Sequence, residues 1–255
     1  MPKGKPKTVE EFVRELEQDP AYWERRREQE KHWAQLMDDS RKRAAPVIAD
    51  LKAAGFNVRG IGDLNRCEKL DYQRAIPILL RWLARTDDPR LRSGIARTLT
   101  HKWAKPVAAP ALVHAFRTLE HPLGLYRGLE HPVGNAKWTI GNALEVVADD
   151  SVFAELAEVA RDRRHGRTRE MVVLAFGKMK DPGAVDLLIG LLQDDDVAGH
   201  AIVALGKLKA SRARSYIEPF TRHPKTWWRR AAKSALAKIE RAEANEREKK
   251  RASKE

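Results

Sequence analysis

Two Glu-His pairs are the clustered residues of this sequence whose types could ligate a metal ion: Glu120-His121 and Glu130-His131. Imidazole and carboxylate groups bind iron or zinc when several of them converge on one point. Each pair stands directly before a proline, which is typical of a helix end. We therefore predict that these residues cap helices and that the chain holds no metal ion and no cofactor.

Three further residues have side chains used in catalysis, but each lacks the neighbours that catalysis needs. Cys67 lies in a basic segment, yet no histidine stands at a spacing that would activate its thiol. His114 and His200 lie on apolar helical segments, where histidines usually pack in a core. Residues 60–62 contain two glycines, but the preceding strand and the third glycine of a phosphate loop are missing. We predict no catalytic residue.

Three clusters of arginine and lysine with interleaved tryptophan point to another chemistry, the binding of a polyanion. They lie at residues 90–105, 161–169 and 225–233, and residues 89–119 contain no acidic residue. Cationic side chains pair with phosphates and aromatic faces stack on bases, and nucleic-acid grooves use both contacts. The residues that we expect to line such a groove are Arg90, Arg92, Arg97, Lys102, Trp103, Lys137, Trp138, Arg163, Arg164, Arg167, Trp227, Trp228, Arg229, Arg230 and Lys233.

Composition bounds the class of protein. The 255 residues include 49 Lys+Arg against 36 Asp+Glu, a formal net charge of +13, and 42% are hydrophobic. Residues 1–50 are neutral, whereas residues 51–120 carry 13 basic and 6 acidic residues. One cysteine excludes a disulfide framework, and no stretch reaches the roughly 18 apolar residues that cross a bilayer. No apolar segment follows the basic N-terminus, so we expect a cytoplasmic protein without a secretory signal.

A sequence repeat positions these side chains. One pattern recurs with successive steps of 32, 29 and 31 residues, at residues 143–147, 175–179, 204–208 and 235–239. Two helices joined by a turn fill one such period, and their apolar faces are buried only when neighbouring units stack. The small residues Gly177 and Gly206 inside the pattern predict close helix–helix approach.

Residues 181–192, followed by 194–197 and 204–208, resemble a HEAT repeat of the bacterial kind, and residues 71–103 resemble an earlier repeat. The resemblance covers about residues 71–240. It implies an all-α, HEAT-like helical-repeat α-solenoid of about five helix pairs, with the second helix of each pair on the concave face. In that arrangement the three basic clusters face one groove.

The resemblance and the turn residues predict four segments. We expect a disordered basic N-terminus in residues 1–7, and a helical N-terminal cap and connector in residues 8–70. The HEAT-repeat solenoid follows in residues 71–240, and a charged tail in residues 241–255 extends the last helix by a turn or two. An apolar stripe in the N-terminal helices either covers the first repeat or forms a protruding coiled-coil contact.

Local signals place some boundaries within these segments. Helices are expected to begin at Thr8 and at Asp19-Pro20, and Pro46 is expected to break or kink the second of them. The second helix of the first repeat should span residues 90–103, and a later one about residues 132–147. An insertion at about residues 120–134 contains a short duplication, and insertions in solenoids often meet a partner.

Repeats of this kind mostly serve as binding surfaces, so the leading functional prediction is a non-enzymatic scaffold for a protein partner. The alternative is a DNA or RNA groove built from the basic clusters. HEAT-like DNA glycosylases also use basic grooves with tryptophan, but no residue of their site can be matched here. The partner's identity and the oligomeric state stay open.

Overall fold

The computed structural model describes residues 8–105, 107–120 and 132–253, and every regular element in these ranges is a helix. The predicted disorder of residues 1–7 and most of the duplicated insertion lie outside the described residues. The chain divides into two compact units, the first ending at Pro46 and the second beginning at Val47. None of the described helices is both long enough and apolar enough to cross a bilayer.

The first unit contains α1 (Val9–Gln18) and most of α2 (Pro20–Ala53). Thr8 and Glu11 form a reciprocal cap, because the Thr8 hydroxyl accepts from the Glu11 amide at 3.2 Å and the Glu11 carboxylate accepts from the Thr8 amide at 2.9 Å. Both predicted helix starts are confirmed. Of the predicted break or kink at Pro46, the break is wrong, since α2 continues to Ala53. A proline removes a single amide donor, and that loss does not end a helix whose following turns bury Val47 and Leu51.

The second unit holds the remaining helices. They are α3 (Lys69–Arg85), α4 (Pro89–Thr98), α5 (Ala108–Thr118), α6 (Pro132–Val147), α7 (Phe153–Arg161), α8 (Glu170–Ala175), α9 (Gly183–Gly190), α10 (Ala198–Leu208), α11 (Arg214–Ile217) and α12 (Thr226–Ala252). Short 3-10 segments such as Lys102–Ala104 join or extend them. Consecutive helices pack as the pairs α3/α4, α5/α6, α7/α8, α9/α10 and α11/α12.

The pairs stack through their second helices. The second helices α4, α6, α8, α10 and α12 contact one another in that order, while α3 packs on α5 and α5 on α7 among the first helices. Apolar residues with almost no exposed surface fill the space between the two rows, including Ile140, Val173, Ile202 and Ile239. This arrangement is the all-α repeat solenoid that the sequence predicts.

Glycines in the repeated pattern set the spacing between second helices, as predicted. A Cβ built on Gly177 would lie 3.0 Å from Ala204 Cα, and one built on Gly206 would lie 2.7 Å from both Cα and Cβ of Ala235. Normal carbon–carbon contacts are about 3.5–4.0 Å. The helices therefore approach closely at these points only because neither position carries a side chain.

Two helix ends differ from the predictions. Helix α4 stops at Thr98, and a separate 3-10 turn holds Trp103, because His101 leaves the helix and its ring accepts from the Trp103 amide at 3.2 Å. Helix α12 runs to Ala252, about three turns past residue 241. An ion pair of 2.7 Å between Arg214 and Glu243 holds this extension. Helix α6 has the predicted bounds.

Candidate binding surface

The first basic cluster divides into buried and exposed cations. Arg92 is buried, with 5% of its surface exposed. Its Nε donates to the Thr86 carbonyl at 2.6 Å, its Nη1 to the Thr118 hydroxyl at 3.1 Å, and its Nη2 lies 3.3 Å from an Asp87 oxygen. The sequence placed Arg92 on a groove wall. In the structure, Arg92 instead joins α4 to the turn before it and to the end of α5.

The other members of that cluster remain accessible. Arg90, Arg97 and Lys102 are exposed, whereas Trp103 is half-buried. Trp138 on α6 is likewise half-buried. The exposed cations on and after α4 therefore form the part of the predicted groove that solvent can reach here.

Lys137 is a second correction to the groove, because the side chain is completely buried. Its Nζ lies 3.1 Å from His165 Nδ1 and 4.9 Å from the centre of the Phe116 ring. Burial lowers the pKa of Lys137 to about 7, against the opposing fields of Asp162 and Glu120. A lysine in this position contacts His165 and Phe116 in the interior and offers no charge to a ligand on the surface.

His165 and Asp162 complete this buried cluster. Burial, and next the charge of Lys137, lower the pKa of His165 to about 4, so its ring is neutral at pH 7. The hydrogen bond from Arg164 lowers the pKa of Asp162 to about 2. Two nitrogens of Arg164, Nε and Nη2, donate to that carboxylate at 3.0 and 2.7 Å, although the arginine side chain itself is 83% exposed.

Arg163, Arg167 and Arg169 of the 161–169 turn lie near carboxylates, whereas Arg161 has no ion pair with any residue that the structure describes. Arg167 lies 2.8 Å from Glu170, and Arg163 lies 3.6 Å from Asp194. Arg169, which is fully buried, lies 2.9 Å from the same Asp194 oxygen. The turn is therefore a surface of mixed charge, in contrast to the basic strip that its arginine content predicts.

The cluster at the start of α12 contains one buried and one exposed tryptophan. Trp228 is buried, with the His223 ring stacked at 4.3 Å and Lys225 Nζ 4.1 Å from its centre. Arg229 closes the turn before α12 by donating to the carbonyls of His223 and Pro224 at 2.8 and 2.7 Å. Trp228 and Arg229 are thus structural, although the sequence placed both in the groove.

Trp227, by contrast, has 48% of its surface exposed. Its ring lies over Gly199, where a Cβ would come within 1.9 Å of the indole, and its centre is 4.9 Å from that of His200. Arg230 and Lys233 are exposed on the same helix. These three side chains are the surface members of the third cluster.

Two sets of contacts between different repeats were not foreseen from the sequence. Asp194 forms an ion pair with Arg169 of the preceding repeat, and Glu145 accepts from both Lys178 and Lys207. Lys207 Nζ lies 3.0 Å from the Glu145 carboxylate, while Lys178 donates to the backbone carbonyl of Glu145. Burial lowers the pKa of Lys178 to about 8. The signal was present, since the two lysines occupy the same position of the repeated pattern.

The first-helix side carries two cavities between successive repeats. One of about 520 Å³ lies between α5 and α7, with Val113 and Val152 among its lining residues, and His114 at its edge. The other, of about 460 Å³, lies between α7 and α9 above Phe153 and Leu187. Nothing in the sequence pattern predicts these cavities.

The residues considered for catalysis or metal binding are placed as follows. Burial raises the pKa of the Cys67 thiol and lowers the pKa of His200. His121, Glu130 and His131 lie outside the described residues, and Glu120 is exposed. In the ranges that the structure describes, no three His, Cys, Asp or Glu side chains are grouped to hold a metal ion.

Comparison with known proteins agrees with this architecture. Residues 122–198 match the family model of HEAT repeats. The matched residues include α6 to α9 and the Lys137–His165 cluster, so the match covers the centre of the stack. The comparisons with curated proteins and with solved structures returned no match.

Proposed function

We propose that this protein is a non-enzymatic HEAT-repeat scaffold that binds a protein partner on its surface. The observation that carries the proposal is the continuous stack of five helix pairs, whose centre matches HEAT repeats. Stacked repeats bury a one-dimensional core and leave an extended surface, and proteins of this architecture use that surface for binding. HEAT repeats generally mediate protein–protein interaction, which makes a protein the first ligand to test.

The charge arrangement supports a protein over a nucleic acid. Of the 161–169 turn, Arg164 and Arg167 each have a carboxylate within 2.8 Å, so a phosphate would compete with an existing partner. Nucleic-acid affinity depends on releasing counterions from phosphates, and arginines already paired with carboxylates contribute little to that release. A surface with both signs of charge beside apolar cavities is suited to a protein.

Affinity purification from nuclease-treated extract tests the proposal. The single cysteine fits a protein of a reducing compartment, and we take the resemblance to HEAT repeats of the bacterial kind as pointing to a bacterial cytoplasm. A bacterial cytoplasmic extract is therefore the appropriate source. We expect a protein to co-purify with the tagged chain and to form a defined complex when both are purified and mixed. Failure to recover any protein above a mock purification contradicts the scaffold proposal.

The nucleic-acid alternative keeps one supporting observation, the exposed cations Arg90, Arg97 and Lys102 after α3. If they bind DNA or RNA, the logarithm of affinity falls linearly with the logarithm of salt concentration. Reversal of charge in the Arg90→Glu, Arg97→Glu double variant would then weaken binding and reduce that slope. Unchanged binding in this variant excludes the alternative.

A further inference from the structure

The cavity between α7 and α9 has the make-up of a binding groove. It measures about 460 Å³, within the roughly 300–1,000 Å³ typical of ligand pockets. Its floor is apolar, because Leu187 and Leu191 are 5% and 6% exposed and the Phe153 ring is anchored edge-on against Phe176 at 5.6 Å. An apolar side chain of a ligand would therefore find a preformed site.

Gly190, at the end of α9, keeps this groove open. Its backbone is right-handed helical, with φ −59° and ψ −34°, so any residue could adopt the conformation. A Cβ at this position would meet nothing within 4 Å, in contrast to Gly177 and Gly206, where a neighbouring helix leaves no room. Glycine inside a helix costs about 1 kcal/mol relative to alanine. Neither backbone nor packing requires Gly190, and a larger side chain at this lining position would reduce the free volume of the groove.

The rim of the groove is cationic. Arg161 is exposed and makes no ion pair with any residue that the structure describes. Arg163 is 71% exposed and lies 3.6 Å from Asp194, a carboxylate that the buried Arg169 already holds at 2.9 Å. The lining residue Asp186 is neutralised by Arg212 at 3.0 Å. Two guanidinium groups thus remain available to an incoming carboxylate, which arginine binds with two parallel hydrogen bonds.

We propose that the α7/α9 groove binds a short acidic segment of a partner protein, with an apolar side chain over Leu187 and a neighbouring Asp or Glu on Arg161 and Arg163. The proposal rests on the scaffold function and names its surface and the chemistry of its partner. An apolar floor beside exposed guanidinium groups suits a peptide that carries both an apolar and an acidic side chain, whereas a phosphate backbone has no apolar group to place over Leu187. The groove lies on the first-helix side, and its two rim arginines belong to the 161–169 cluster.

Selection of a display library of short random peptides on the purified full chain tests the proposal. We expect the enriched peptides to share an apolar residue followed within a few positions by Asp or Glu. Gly190→Leu fills the groove and so removes the site of the buried apolar side chain, and Arg161→Glu removes a charged hydrogen bond at the rim. Each loss should weaken binding of these peptides by about tenfold or more. Gly94→Leu is the control for the first variant, because a Cβ at Gly94 also meets nothing within 4 Å. Arg241→Glu, at an exposed position of α12, is the control for the second.

Four results would overturn the groove proposal: no enriched peptide, a basic consensus, equal binding to wild type and Gly190→Leu, or equal binding to wild type and Arg161→Glu. Circular dichroism checks the fold of each variant, and Arg163→Glu replaces any variant that unfolds. The scaffold proposal is judged separately, by the partner recovered from extract. A partner that Gly190→Leu retains in full refutes the groove and leaves the scaffold standing, whereas recovery of no partner refutes the scaffold.

Discussion

The close approach of α10 and α12 makes a specific prediction about the Gly206→Ala variant. The added methyl group would lie 2.7 Å from Cα and Cβ of Ala235, about 1 Å inside normal contact, and Ala235 cannot rotate out of the way because the clash includes its backbone. Overpacking of this kind costs about 1–3 kcal/mol, and a contact with backbone belongs near the upper end. Alanine recovers about 1 kcal/mol of helix propensity. We therefore expect a net loss of about 2 kcal/mol in the free energy of unfolding.

Glycine-to-alanine substitutions at two other positions of the stack serve as controls. Gly177→Ala meets its nearest backbone atom at 3.0 Å and should lose less, while Gly94→Ala meets nothing and should gain about 0.5–1 kcal/mol. Urea denaturation followed by far-ultraviolet circular dichroism gives the order of midpoints. A Gly206→Ala midpoint equal to or above that of Gly94→Ala would refute the stacking geometry.

Three further predictions concern the buried charges. Lys137 has a pKa of about 7 in the folded chain and about 10.4 in the unfolded chain, so the unfolded chain binds more protons between these values and stability rises with pH from 7 to about 10. The Lys137→Met variant should flatten this rise in denaturation midpoints measured across that range. An unchanged slope contradicts the assignment. His165, with a folded pKa of about 4, should lower stability as the pH falls from about 6.5 towards 4, and His165→Gln should remove that component. Asp194→Asn leaves the buried Arg169 without its closest carboxylate and should lower the free energy of unfolding by about 3 kcal/mol in thermal or urea denaturation. Asp195→Asn, at an exposed site, should change it little. Equal effects of the two variants would show that the ion pair is not structural.

The repeat could be predicted from the sequence because its signals are local and periodic. The pattern around Gly177 and Gly206 recurs at a helical-hairpin period, and small side chains at the same point of each repeat have one structural use. Helix α6 could be bounded in the same way. The end of α4 could not, because the ring of His101 caps a separate turn and no glycine or proline marks the change.

The candidate site was harder to predict because burial of a charge depends on distant residues. Arg92 is buried by Thr118, which lies 26 positions away, and Lys137 by His165, which lies 28 positions away. A sequence pattern records that these positions are basic but not that the cations are satisfied internally. The cavity beside Gly190 is also invisible in the sequence, since it depends on how far α7 lies from α9.

The central claim is that this repeat stack binds a protein, and the stoichiometry of the complex after nuclease treatment tests it most directly. The co-purified protein would be purified, mixed with the chain and weighed by light scattering during size-exclusion chromatography. The account predicts a complex of fixed stoichiometry that survives nuclease and depends only weakly on salt. Loss of the complex on nuclease treatment, or a steep log-linear fall of affinity with salt, would contradict it and identify nucleic acid as the ligand.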